Sequence, residues 1–214
     1  LLDDTVVNHE ILVLIGEQGL YKTTWFNFLL PPELRCYFYT KTNSDRLNKD
    51  DLFSLTEFAL ICFEELDGMR PAELNQLKAM VTMPYVNERA AYGRNKERHP
   101  HIASFCGTGN NVQFLTDPTG NRRWLPFEVS QIRDPHLHAI PYELVYSQAY
   151  ALWKSGFCHW FSQEEIRKLN MHNSRFEVPN PEEDLIRTHF RKPFEGEAGI
   201  FVTAADILEQ ISSC

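Results

Sequence analysis

A lysine and a threonine near the start of the chain have the residue types and the spacing to bind a polyphosphate. Lys22 and Thr23 follow a glycine-containing loop at residues 16–21, and the apolar run I-L-V-L-I at residues 11–15 precedes that loop. Backbone N–H groups at a helix N-terminus attract phosphate oxygens, a lysine there reaches the β and γ phosphates, and a threonine hydroxyl binds Mg²⁺. The pattern therefore predicts a loop for a nucleoside triphosphate with Mg²⁺. The predicted binding residues are Gly16, Glu17, Gln18, Gly19, Leu20, Tyr21, Lys22, Thr23 and Thr24.

Tyr21 stands where the usual pattern, G-x-x-x-x-G-K-[ST], has its second glycine. A side chain at that position restricts the backbone beside the phosphates. Two alternatives stay open at this point: an ordinary strand–turn–helix connection with a surface lysine, and a site that binds nucleotide without hydrolysing it.

Two carboxylates at the end of a second apolar strand could complete such a site. Glu64 and Glu65 follow the run at residues 58–63, and Asp67 comes two positions later. We expect Glu64 to belong to the Mg²⁺ shell and Glu65 to act as the general base for an attacking water, with Asp67 as a third candidate. The alternative is a strand that simply ends in solvent, and the segment in isolation favours it.

Polar residues after two further segments suggest the remaining roles. Asn110 follows the predicted strand at residues 101–106 and could orient the attacking water, although asparagine is also common in turns. Arg122 and Arg123 could stabilise the charge on the γ-phosphate in the transition state, often from a neighbouring subunit. Surface arginines are frequent, so these two residues taken alone favour the alternative of solvated arginines without a catalytic role.

Residues 89–101 are the one notably basic stretch of this acidic chain, and an aromatic residue and a glycine lie between the basic ones. This composition could form a hairpin that binds a nucleic-acid backbone and stacks a base. Composition alone favours a solvated loop equally. The predicted nucleic-acid contacts are Arg94, Lys96, Arg98 and His99. Pairs of histidines at spacing two occur at residues 99 and 101 and at residues 136 and 138, but no carboxylate or cysteine completes either set. No transition-metal site is predicted.

The elements that must position these residues alternate along the chain. Strands are predicted at residues 11–15, 58–63 and 101–106, and helices at residues 22–30 and 72–82. This alternation predicts an α/β fold with a mainly parallel sheet.

Helices dominate the chain after about residue 140. The spacing predicts a helix over 142–155, a second one opened by Ser162 with Glu165 in a capping box, and a third from Pro181. Residues 201–211 are predicted to form a short strand and a helix capped by Thr203. We expect three parts: a core at 1–140, a helical extension at 141–200, and the start of a truncated module at 201–214, for which a winged helix is the candidate.

Composition limits the class of protein. The chain has 214 residues, 43% of them apolar, and a net charge of -8, which excludes a disordered chain and a protein that coats nucleic acid with its whole surface. No run approaches the roughly 18 apolar residues of a membrane span. The five cysteines are widely separated, which fits a reducing cytoplasm. The absence of an initial Met suggests a piece of something longer.

Taken in order, these motifs resemble the virulence-associated protein E family, AAA+ ATPases related to superfamily 3 helicases of phage-like and other mobile elements. The resemblance rests on E-L-D with a lysine-bearing helix (Glu65 to Lys78), on A-Y-G-R at 91–94, on the turn from Thr108 to Asn110, on the segment 114–124, and on the helix with Trp153.

The resemblance implies a three-layer P-loop NTPase core that couples ATP hydrolysis to DNA translocation. It also implies a ring of identical subunits and a flanking primase-like or DNA-binding domain. Lys22, Thr23, Glu64, Glu65 and Asn110 fall on Walker A, Walker B and sensor positions. Arg122 or Arg123 falls at the arginine finger, and residues 86–101 fall at a DNA-contacting hairpin. A non-hydrolysing regulatory or assembly module is the alternative, and a small-molecule kinase is weaker because no lid segment is evident.

Overall fold

A parallel β-sheet with helices on both faces forms the main part of the molecule. The computed structural model describes residues 6–42, 49–88, 97–116 and 121–212. The strands are β1 (Ile11–Ile15), β2 (Phe38–Lys41), β3 (Leu60–Phe63), β4 (Tyr85–Glu88), β5 (Glu97–Pro100), β6 (Ser104–Gly109) and β7 (Trp124–Glu128). The helices are α1 (Lys22–Leu29), α2 (Lys49–Glu57), α3 (Pro71–Val81), α4 (Tyr142–Lys154), α5 (Gln163–Asn173), α6 (Pro181–His189) and α7 (Ala204–Ser212).

Five strands make up the main sheet in the order β2-β3-β6-β1-β7, and every neighbouring pair is parallel. The interior strand β1, between β6 and β7, is an unbroken apolar run because both of its faces are covered. Ile11, Val13 and Ile15 pack into one apolar cluster with α3, whereas Leu14 packs into another with Phe26 of α1. The expected α/β class with a mainly parallel sheet is confirmed.

Two predicted strands begin later than their apolar runs, because their first residues bond to neighbouring elements outside the sheet. The N–H groups of Ile102 and Ala103 both donate to Leu55 O at the end of α2, and β6 starts at Ser104. The Phe58 N–H donates to Ser54 O, so Phe58 directly follows the last turn of α2 and β3 starts later, at Leu60. The strand predicted at 201–203 is wrong: these residues form no strand, and Thr203 caps α7 by accepting from the Asp206 N–H.

The helices that the sequence predicts after residue 140 are present. Helix α4 covers residues 142–154 of the expected 142–155, and the Tyr142 hydroxyl donates to Phe28 O at 2.6 Å. The capping box of Ser162 and Glu165 is present at the start of α5. None of the helices in the described part of the chain is long and apolar enough to cross a membrane.

The chain divides into two compact units, residues 1–177 and 178–214. The first contains the sheet and helices α1 to α5. The second contains α6 and α7, which contact each other. The boundaries predicted between the core, the helical extension and the C-terminal module, at residues 140 and 200, stay predictions.

Candidate functional site

The carboxyl ends of β1, β3 and β6 meet at one edge of the sheet, because these strands are parallel and adjacent. A cavity of about 320 Å³ opens there. The structure thus brings together most of the residues that the sequence predicts for nucleotide, Mg²⁺ and catalysis. The lining residues are Gln18, Gly19, Leu20, Tyr21, Lys22, Thr23, Thr24, Glu64, Glu65, Thr108, Gly109 and Asn110.

Lys22, the first residue of α1, is buried at the floor of this edge. Its Nζ donates to Gly16 O and to Glu17 O, both at 2.7 Å, and to Asn110 Oδ1 at 3.2 Å. An ammonium has three donors, and all three have partners here. Burial lowers the pKa of Lys22, and the charge of Asp67 opposes that shift. Gly16 and Glu17 therefore contribute to the site through their carbonyls.

The hydroxyl of Thr23 donates to Glu64 Oε1 at 2.7 Å. Thr23 lies in the first turn of α1 and Glu64 directly follows β3, where its N–H donates to Lys41 O at 2.9 Å. Hydroxyl and carboxylate oxygens are ligands that Mg²⁺ accepts, and neighbouring ligands of an octahedral Mg²⁺ lie roughly 2.9 Å apart when the bonds are about 2.1 Å. The pair therefore fits an ion of this kind. Within the described ranges no group of three or more His, Cys, Asp or Glu side chains is arranged for a metal ion.

Two residues at the cavity have a left-handed backbone. Tyr21 has φ 60° and Glu65 has φ 54°, and they are the only non-glycine residues with positive φ in the described part of the chain. Such a conformation costs of order 1–3 kcal/mol and concentrates at functional sites. Tyr21 thus adopts the backbone conformation for which the usual pattern has glycine. Tyrosine in place of the usual glycine raises the free-energy cost of the left-handed conformation, but the backbone at position 21 still adopts it.

Asp67 hydrogen-bonds to the turn that follows β6. Its Oδ1 accepts from the Asn110 N–H and its Oδ2 from the Asn111 N–H, both at 3.1 Å. The sequence placed this carboxylate beside Glu64 and Glu65 as a third candidate for metal or base. Its contact with the turn after β6 depends on the order of the strands, and no local pattern reveals it.

Arg122 and Arg123 lie at the amino ends of the strands, whereas Lys22 lies at the carboxyl ends. They directly precede β7, whose first residue, Trp124, pairs with Ile11 at the start of β1. A strand of five residues spans about 16 Å, so the structure does not bring these arginines to the site of their own chain. A role at the site of a neighbouring chain stays a prediction.

The arginine turn is nevertheless held firmly. Asn173 Nδ2 donates to Asn121 O at 2.8 Å and to Trp124 O at 3.0 Å, and Asn121 Nδ2 donates to Glu177 Oε1 at 2.7 Å. Burial lowers the pKa of Arg123, and the charge of Arg122 adds to the effect. The sequence reading missed the two asparagines, because their contacts join segments about 50 residues apart.

Two of the four residues predicted to contact nucleic acid lie in the part of the chain that the structure describes. Arg94 and Lys96 lie outside the described residues. Arg98 and His99 are on β5, which pairs antiparallel with β4. The Arg98 guanidinium lies 3.4 Å from the centre of the Tyr85 ring. The arms of a strand pair are therefore present where the sequence suggests a hairpin.

Comparison with known proteins places the chain in a family. The virulence-associated protein E-like domain matches residues 3–178, and the chain belongs to that family. The resemblance drawn from the order of the motifs is confirmed. No curated protein matches the sequence.

Solved structures similar to this chain include two described as forms of the apo NrS-1 C-terminal region (305–718). One is 13% identical with a TM-score of 0.45 and covers 78% of this chain and 35% of the solved one. The A form is 13% identical with a TM-score of 0.43 and covers 79% and 34%. The chain spans about a third of the length of these structures.

Proposed function

We propose that this chain is the ATP-hydrolysing domain of a cytoplasmic DNA replication helicase or primase-helicase from a phage-like or other mobile element. One observation carries the proposal: Lys22, Thr23, Glu64, Glu65 and Asn110 converge on one cavity at the carboxyl ends of three adjacent parallel strands. Ligand sites of open parallel sheets are found outside the carboxyl ends of their strands. The membership of the family supports the same assignment.

Each group has a distinct part in the proposed reaction. Lys22 donates to oxygens of the β and γ phosphates in place of its present loop carbonyls, and Thr23 and Glu64 hold Mg²⁺, which neutralises phosphate charge. Asn110 orients a water and the Glu65 carboxylate accepts its proton. The water oxygen bonds to the γ-phosphorus, the bond from that phosphorus to the bridging oxygen breaks, and ADP and phosphate leave.

The arginines and the strand pair supply the proposed partners. Arg122 or Arg123 of one chain reaches the γ-phosphate held by the next, which is why we propose a ring of identical chains. The basic segment contacts the backbone of single-stranded or forked DNA. Its contact residues are Arg94, Lys96, Arg98 and His99. A flanking primase-like or DNA-binding domain completes the proposed full-length protein.

The first experiment asks whether Lys22 binds nucleotide. We would compare the melting temperature with and without Mg²⁺ and a non-hydrolysable ATP analogue, for wild type and Lys22→Ala. At 100 times Kd the ligand adds about 2.7 kcal/mol, which is about 5–10 °C for a chain of this size. Lys168→Ala is the matched control, because Lys168 pairs with Glu164 on the exposed face of α5. A shift in wild type and control that Lys22→Ala abolishes supports the proposal, and equal shifts in all three overturn the assignment of Lys22.

A second candidate is a regulatory or assembly module that binds nucleotide without hydrolysing it. The left-handed Tyr21 beside Lys22 favours it, because its side chain restricts the loop next to the phosphates. Single-turnover hydrolysis at concentrations where the chain is oligomeric separates the two candidates. Nucleotide that is bound but stays intact for hours supports the module.

A further inference from the structure

The Asp67 carboxylate clamps the turn that follows β6. Each of its oxygens accepts one backbone N–H, from Asn110 and from Asn111, at 3.1 Å. A carboxylate bonded through both oxygens is fixed in position and in rotation. Asp67 belongs to the 3₁₀ turn Leu66–Gly68, and Leu66 is fully buried in the core. The clamp is therefore anchored in the interior of the protein.

The sheet leaves space for this carboxylate. A Cβ placed on Gly109 would lie 3.0 Å from Asp67 Oδ1 and 2.9 Å from Ile15 Cδ1. Glycine at this position lets the carboxylate approach the end of β6 closely enough to reach both amides.

The clamp continues to Lys22 through one further hydrogen bond. Asn110, whose backbone is held by Asp67, accepts from Lys22 Nζ through its side-chain oxygen at 3.2 Å. The Asp67 charge also acts on Lys22, where it opposes the effect of burial on the pKa. One carboxylate thus affects two groups of the candidate site, Asn110 by a hydrogen bond to its backbone and Lys22 by its charge.

We propose that Asp67 is a positioning residue that fixes the Asn110 turn, and so holds the Asn110 side chain against the Lys22 ammonium. Its effect on hydrolysis rests on the proposed function, whereas its effect on the turn does not. Asp67 is assigned to the turn because its two observed hydrogen bonds are both to backbone amides of that turn.

The test uses Asp67→Asn in the whole chain, with Glu57→Gln as the control at an exposed carboxylate on α2. Asparagine has the shape of aspartate but presents an NH₂ group to one of the two amides, so one hydrogen bond is lost. Hydrogen exchange measured by NMR should accelerate about tenfold at Asn110 and Asn111, because a hydrogen bond to a charged group is lost. Amides in α3 should exchange at wild-type rates. Unchanged exchange at the turn, or equal acceleration throughout the chain, overturns the proposal.

Kinetics then separate this proposal from the proposed function. We expect Asp67→Asn to bind the ATP analogue within about threefold of wild type while kcat for hydrolysis falls about ten- to hundredfold, as for supporting residues around other sites. A parallel loss of binding and kcat overturns positioning of Asn110 as the cause. If wild type itself neither binds nor hydrolyses nucleotide, the proposed function fails, and the exchange result alone still decides the role of Asp67 in the turn.

Discussion

Thr23 and Glu64 are 41 positions apart in the sequence, and the hydroxyl of the first donates to the carboxylate of the second at 2.7 Å. This bond joins the first turn of α1 to the end of β3. Two oxygens suited to Mg²⁺ are therefore held together by the fold itself. Preorganisation of this kind reduces the entropy lost when a ligand binds.

Replacing Thr23 should weaken binding that depends on Mg²⁺. Thr23→Val keeps the shape but removes the hydroxyl, whereas Thr23→Ser keeps the hydroxyl. We expect Thr23→Val to need about tenfold more Mg²⁺ for binding of an ATP analogue, and Thr23→Ser to stay close to wild type. A Mg²⁺ titration with a fluorescent analogue measures this. Identical titrations for the two variants would contradict a metal role for Thr23.

Replacing Tyr21 by glycine should stabilise the fold. The left-handed backbone at Tyr21 costs a non-glycine residue of order 1–3 kcal/mol, which exceeds the entropy cost of glycine. We expect the free energy of unfolding in urea to rise by about 1 kcal/mol. Tyr37→Gly is the matched control, since Tyr37 is similarly exposed and lacks a positive φ, and it should lower that free energy. A loss of stability in Tyr21→Gly of the same size as in the control would show that the loop strain is negligible.

Arg122 and Arg123 should act between chains if they act on nucleotide at all. Lys22→Ala and the double variant Arg122→Ala with Arg123→Ala should each lack ATPase activity. Mixed in equal amounts, they should recover about one quarter of wild-type activity, because that share of head-to-tail interfaces pairs an intact Lys22 with intact arginines. The assay is phosphate release after mixing and reassembly. Full activity of the double variant alone would exclude the arginines from catalysis.

Arg98 offers a test of the predicted contact with DNA. Arg98→Ala should weaken binding of single-stranded DNA of any sequence and reduce the slope of log K against log salt by about one, as expected for one lost phosphate contact. Fluorescence anisotropy at several salt concentrations gives both quantities. Arg175→Ala is the control, because Arg175 likewise lies against an aromatic ring, that of Phe176, and is not part of the basic segment. An equal effect in both variants would mean a general effect of charge.

His101 should make the stability of the fold depend on pH in the acid range. Its Nδ1–H donates to Met83 O at 2.7 Å, and burial lowers the pKa of its ring below 6.5. The unfolded chain then binds more protons than the folded one below pH 6.5, so the free energy of unfolding falls as the pH drops from 6.5 through the lowered pKa. In His101→Asn the free energy of unfolding, measured by urea denaturation, should change less with pH between pH 7 and about 5 than it does in wild type. Parallel slopes would show that other groups cause the dependence.

The sequence was sufficient to predict contacts that follow from a simple rule of parallel sheets. Lys22, Glu64 and Asn110 each follow an apolar run, and parallel strands bring such positions to the same edge. The carboxylate of Asp67 could not be assigned in this way, because its partners depend on β3 lying beside β6. β6 begins later than predicted, because the backbone N–H groups of Ile102 and Ala103 donate to Leu55 O of α2 and not to a neighbouring strand. Apolar patterns report burial and do not identify the partner.

Gly107 occupies the interior of β6, and a Cβ built on it would overlap the Leu66 side chain. Leu66 lies between Glu65 and Asp67, so any displacement of its side chain reaches both the proposed base and the clamp. Gly107→Ala is therefore expected to impair the proposed hydrolysis even though Gly107 does not line the cavity. A screen that scored the proposed ATP hydrolysis is therefore expected to recover Gly107 together with the residues that line the cavity.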